Sequence, residues 1–148
     1  MKRGEQLVRT VEDMDTEAQA FVDALTPEQH SATLITLSGD LGAGKTAFVQ
    51  ATAAVLGVEG PITSPTFVIA KVYLLPEGQH FDRLIHIDAY RLNSLKDLNA
   101  IGFGEMASNT KNLIMLEWPE QVEGILENSS LNIMIEALDD GARQITYA

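Results

Sequence analysis

Along the 148 residues, apolar side chains recur in two rhythms, one of three and four residues and one of short, nearly unbroken runs. Between 15 and 25, Ala18, Phe21, Val22 and Leu25 fall at helical intervals and Pro27 follows, which predicts a helix ending before the proline. Residues 33–38, Thr33-Leu34-Ile35-Thr36-Leu37-Ser38, are β-branched, short and bounded by Gly39, as a buried strand is. From Lys45 the helical rhythm returns through Phe48, Thr52 and Val55, and Gly57 stands where a left-handed cap would stop it.

Farther on, residues 67–75 predict a strand ending in the turn Pro76-Glu77-Gly78, and 83–88 a second strand. The short connection pairs the two antiparallel. Residues 94–107 read as short helices interrupted by Gly102 and Gly104, 113–116 as a central strand closed by Pro119, and 131–137 with 143–147 as a hairpin across Asp139-Asp140-Gly141. The sum is an α/β chain: a mixed sheet flanked by helices in three layers, with one antiparallel pair and a C-terminal hairpin. Its length predicts one domain over 1–148.

Composition narrows the classes. The formal net charge is −11, and the ten basic residues are scattered, so no stripe suited to a phosphate backbone is present and direct tight binding of nucleic acid is disfavoured. No run approaches the roughly 20 apolar residues of a membrane span, and the polar start argues against export. The absence of cysteine excludes disulfides and thiolate chemistry and fits a cytoplasmic setting.

The strongest chemical signal lies between the strand at 33–38 and the helix from Lys45. Gly39-Asp40-Leu41-Gly42-Ala43-Gly44-Lys45-Thr46 matches G-x-x-x-x-G-K-[ST], the P-loop that cradles phosphates with backbone N–H groups. Glycines let that backbone curl, and the helix dipole adds partial positive charge where the anion sits. Lys45 is the expected partner of the β- and γ-phosphates and the Thr46 hydroxyl a ligand of Mg²⁺. The stretch from Asp40 to Thr46 is therefore the predicted nucleotide cradle. No Asn/Thr-Lys-x-Asp element for guanine occurs, since Thr110-Lys111-Asn112-Leu113 has Leu where Asp is needed, so ATP is the expected nucleotide.

Such a site also needs a carboxylate beside the metal. Asp88, ending 83–88, and Glu117, ending the run from Leu113, are both candidates, and spacing does not choose between them. His86 lies two residues before Asp88 and shares its face, but the sequence gives it no catalytic role. Trp118 fits core packing as well as a lid over the site. No arginine-rich lid follows, which lowers a small-molecule kinase reading and leaves hydrolysis or a nucleotide-dependent binding module.

Four segments in order, 39–46, Ser64-Pro65-Thr66-Phe67, His86-Ile87-Asp88-Ala89-Tyr90-Arg91-Leu92 and Glu117-Trp118-Pro119-Glu120, resemble the bacterial TsaE family, the ATPase of threonylcarbamoyladenosine tRNA modification. Asp15-Thr16, ahead of the first helix, and Gly141-Ala142-Arg143 also look like family positions. The resemblance implies a P-loop NTPase-like fold in which Thr46 and Glu117 hold Mg²⁺, Asp88 is needed for hydrolysis, and Lys45, Asp88 and Glu117 form the catalytic set. It further implies a switch-like loop at 64–67, Trp118 near the nucleotide, and Arg143 approaching the base. The implied partners are the TsaB and TsaD proteins, with tRNA met only through them and ATP hydrolysis resetting their complex. No arginine finger is evident in the chain; one supplied in trans is worth about 10³ to 10⁵ in rate, so slow intrinsic, partner-stimulated hydrolysis is expected.

Overall fold

The computed structural model describes residues 1–60, 62 and 69–148. Among the described residues, seven strands form one sheet, in the order β1-β7-β6-β2-β5-β4-β3. They are β1 (Gly4–Val8), β2 (Thr33–Ser38), β3 (Ala70–Leu74), β4 (Arg83–Asp88), β5 (Asn112–Glu117), β6 (Leu131–Ala137) and β7 (Arg143–Tyr147). β6, β2, β5 and β4 run parallel, while β3 pairs antiparallel with β4, and β7 antiparallel with both β6 and β1. The expected α/β class, mixed sheet, antiparallel pair and C-terminal hairpin are all present.

The helices are α1 (Val11–Ala24), α2 (Lys45–Val55), α3 (Leu95–Ala100) and α4 (Phe103–Ser108). Alternation along the buried strands assigns them to two faces. Ile35 and Leu37 of β2 and Leu113 and Met115 of β5 pack with Phe21 of α1 and Phe48 of α2. Leu34, Ile114 and Leu116 face the other way, toward Leu98 of α3, Phe103 of α4 and the apolar side chains Val122 and Ile125. β2 and β5 are covered on both faces, which is why they read as continuous apolar runs.

The strand expected over 67–75 is β3, with residues 67 and 68 outside the described residues, and three other features differ from the sequence reading for a local reason. α1 starts at Val11, not near Asp15, because Thr10 and Asp13 form a reciprocal capping box that satisfies backbone donors at its entrance. Asp15 and Thr16 therefore lie inside the helix and not ahead of it. Gly102, at φ 89°, divides α3 from α4, whereas Gly104 is absorbed into α4. β1 gave no apolar signal because four of its five residues are exposed; it is held by pairing with β7. The chain start is anchored further by Tyr147, whose hydroxyl donates to Glu17 Oε1 at 2.7 Å, and by Lys2, 3.1 Å from the same oxygen.

β2 enters the loop of interest through Gly39, whose φ is 150°. A Cβ there would lie 2.3 Å from the Ile135 carbonyl oxygen on β6, so only glycine lets the loop leave the sheet this closely. Gly39→Ala should cost about 1–3 kcal/mol of unfolding free energy through forced displacement of β6. Urea denaturation of the variant beside the parent measures it.

Candidate functional site

The C-terminal ends of β2, β5 and β4 meet at one edge of the sheet, where α/β proteins place their ligand crevices. Register puts Leu37, Glu117 and Asp88 in one row across the three strands. Glu117 shares the sheet face of Met115 and Leu113, and His86 and Asp88 share that of Leu84, all on the α2 side. The loop from Gly39 curls over this edge and ends at Gly44, which caps α2 with φ 115° and leaves the first N–H groups of the helix without intrahelical acceptors.

Lys45, only 4% exposed, folds back along the loop. Its ammonium donates to the carbonyl oxygens of Gly39 and of Asp40, the latter at 3.1 Å, and stands 3.8 Å from the centre of the Trp118 ring. Trp118 adopts φ 62° just after β5, its N–H bonded to the Leu37 carbonyl, and its ring packs on Tyr90 at 5.0 Å. The left-handed turn thus swings the indole out of the strand direction and over the lysine.

Thr46, next on α2, directs its hydroxyl at Glu117, 3.1 and 3.2 Å from the two carboxylate oxygens. Glu117 is 3% exposed, and its Oε2 also accepts from His86 Nε2 at 2.5 Å. Asp88 is partly buried and accepts from the Tyr90 N–H at 3.0 Å. Leu41, Gly42, Gly44, Lys45, Thr46, Asp88, Glu117 and Trp118 line a common cavity of 240 Å³.

Of the residues singled out in the sequence, Asp40 contributes its carbonyl to Lys45, and Ala43 is packed into the core. Arg143 sits apart from the carboxylates, its Nε 3.9 Å from the position a Cβ on Gly44 would take. It lines a neighbouring cavity of 540 Å³, bounded also by Thr10, Asp15, Ala47 and Gly141. Both outlying family positions thus open on one cavity beside the loop, although Asp15 and Arg143 are 128 residues apart by their numbers. The expected switch-like segment 64–67 lies outside the described residues. His86 carries more of the site than the sequence reading allowed it: the run His86-Ile87-Asp88 put it on the right face, but only register across two strands brings it to Glu117.

Among the described residues, no group of three or more His, Asp and Glu side chains is arranged to cage a metal. One carboxylate and one hydroxyl in contact are a hard-oxygen pair, and Mg²⁺ is commonly bound by only one or two protein oxygens, with water and phosphate completing its shell. The donor set fits that ion. No helix among the described residues is long and apolar enough to cross a membrane.

Charge is tightly balanced in this crevice. Burial lowers the Lys45 pKa, and the acids Glu117, Glu120, Asp88 and Asp40 oppose that shift without cancelling it. Burial raises the Asp88 pKa; Glu117 adds to the rise, and the Tyr90 N–H works against it. The folded chain therefore holds the Asp88 proton more tightly than the unfolded chain does. That contribution to stability is present in acid and is lost as pH rises from the ordinary value of 3.8 through the raised folded value. Asp88→Asn, which keeps the oxygen facing Tyr90, should melt above the parent at neutral pH, with the difference vanishing in acid; melting temperature against pH reads it.

Comparison with known proteins gives the family. A family model described as Threonylcarbamoyl adenosine biosynthesis protein TsaE matches residues 8–145. The Treponema pallidum tRNA threonylcarbamoyladenosine biosynthesis protein TsaE is 41% identical over 115 residues, covering 78% of this chain and 81% of that protein. The protein of the same name from Rickettsia bellii is 31% identical over 144 residues, 97% of this chain and 93% of its own. A crystal structure of Bacillus subtilis YdiB superposes with a TM-score of 0.72 at 27% identity, covering 99% of this chain and 84% of that one. With a match across nearly its whole length and the fold in common, the chain belongs to the TsaE family of tRNA threonylcarbamoyladenosine biosynthesis.

Proposed function

We propose that this protein binds ATP with Mg²⁺ on the loop from Gly39 to Thr46 and hydrolyses it, as the ATPase of the cytoplasmic threonylcarbamoyladenosine machinery, acting on a complex of TsaB and TsaD. The observation that carries the reading is the contact of the Thr46 hydroxyl with the Glu117 carboxylate at 3.1 Å, beside a lysine whose hydrogen bonds among the described residues go to backbone carbonyls. A hydroxyl, a carboxylate and a lysine at a helix N-terminus are the parts that phosphoryl transfer requires.

Each side chain has a task in that reading. Lys45 exchanges its carbonyl partners for the β- and γ-phosphates, with the loop N–H groups and the α2 dipole adding positive potential. Thr46 and Glu117 hold Mg²⁺, which when bound neutralises charge developing on the phosphates. Asp88 orients the attacking water, and its raised pKa suits a group that shares a proton with that water. The 540 Å³ cavity beside Gly44 receives the base, with the Arg143 guanidinium at its wall.

The acidic surface supports a division of labour in which tRNA is met only through the partner proteins. A net charge of −11 repels a polyanion, and no basic stripe offsets it. Among the described residues, no arginine lines the cavity between Lys45 and Glu117, and Arg143 lines the neighbouring one. In this reading a positive group supplied by a partner speeds turnover, which links hydrolysis to assembly.

Release of phosphate from ATP, measured with and without TsaB and TsaD, tests this directly. Partner addition should raise the rate, Asp88→Ala should remove most of it while nucleotide still binds, and Lys45→Ala should lower it by on the order of 10²-fold or more. Equal rates for parent and Lys45→Ala would overturn the proposal.

A further inference from the structure

We propose that His86 is the positioning residue that fixes Glu117 for the metal, an inference that rests on the reading of Glu117 as a magnesium ligand. Glutamate at a strand end has one more rotatable bond than aspartate, so its carboxylate must be held by something besides its own backbone to meet a small octahedral ion. The neighbours available to it in the described structure are few. Thr46 donates one hydroxyl hydrogen, shared between the two oxygens, and that hydroxyl is itself a metal ligand in the proposed site. His86 is the donor left over, bonded to Oε2 alone.

His86 is fully buried on β4, where the register places it opposite Met115, one pleat before the row containing Asp88 and Glu117. A carboxylate offers only acceptors, so the hydrogen in the contact lies on Nε2. Nδ1 has no hydrogen-bond partner among the described residues, so a hydrogen there would be buried without an acceptor. The ring is therefore the Nε2–H tautomer, aimed at Oε2, and Oε1 is left with Thr46 as its single described partner, in a carboxylate that lines the cavity. Ligand carboxylates depend on such hydrogen bonds for orientation, and losing one commonly costs 10- to 100-fold in metal affinity. Asp88 cannot replace the ring, since a carboxylate has no hydrogen to donate to Glu117 and its own Oδ1 accepts from the Tyr90 N–H.

Mn²⁺ serves as the probe, its binding to the ADP complex followed by electron paramagnetic resonance, with ADP affinity in EDTA measured alongside. His86→Leu keeps the buried volume without the donor and should weaken Mn²⁺ by about tenfold or more while leaving ADP affinity in EDTA unchanged. His86→Gln puts an amide N–H near the position of Nε2 and should recover most of the loss. Equal Mn²⁺ affinity in parent and His86→Leu, or a loss that His86→Gln does not repair, overturns the inference while leaving the site reading intact. A parent chain that takes up neither ADP nor Mn²⁺ overturns both. Should the variants fail to fold, nitrogen NMR of labelled histidine in the parent decides: the ring should carry its proton on Nε2, and a proton on Nδ1 alone contradicts the assignment.

Discussion

The register of three parallel strands is the constraint on which this site depends. β2, β5 and β4 align Leu37, Glu117 and Asp88 in one row, and the loop from Gly39 begins two residues beyond the first of them. Because side chains alternate, a slip of one residue in β5 would turn Glu117 to the face of α3 and α4 and part it from Thr46. The same slip would expose Leu113 and Met115 to the wrong layer, so the apolar packing that stabilises the sheet also enforces the position of the carboxylate. Core and chemistry are specified by one pattern.

Around that row the protein tolerates unfavourable electrostatics. A lysine and two carboxylates are gathered where water is largely excluded, and burial shifts both Lys45 and Asp88 against their charged forms. The lysine satisfies its hydrogens on carbonyls of its own loop and rests on the Trp118 face, contacts that a stronger anion can displace. Opposed groups held close together are characteristic of sites arranged for a ligand and not for stability alone. The indole, turned by its left-handed backbone, is packed so that movement of the lysine must alter its surroundings.

Much of this was legible in the residues. The unbroken runs 33–38 and 113–116 named the central strands because both faces are covered, and the glycine spacing of 39–46 located the loop between strand and helix. β1 escaped notice because its partner is backbone, and hydrogen bonding to β7 leaves no apolar signature. The early start of α1 was hidden in a capping box whose members, Thr10 and Asp13, are polar and precede the visible stripe. The choice between Asp88 and Glu117 could not be made from local pattern, since both end strands at the same edge; the family resemblance named Glu117, and Glu117 is the one that Thr46 contacts. The contact of His86 with Glu117 was hidden for a related reason: the two lie 31 residues apart and on different strands.

Nuclear magnetic resonance of the ¹⁵N-labelled chain, titrated with a non-hydrolysable ATP analogue and Mg²⁺, tests the central claim most directly. The largest amide shifts should fall on Gly42, Gly44, Lys45 and Thr46, with the Trp118 indole N–H moving as Lys45 leaves it. A spectrum unchanged at saturating nucleotide, or shifts confined to residues away from this loop, would contradict the account.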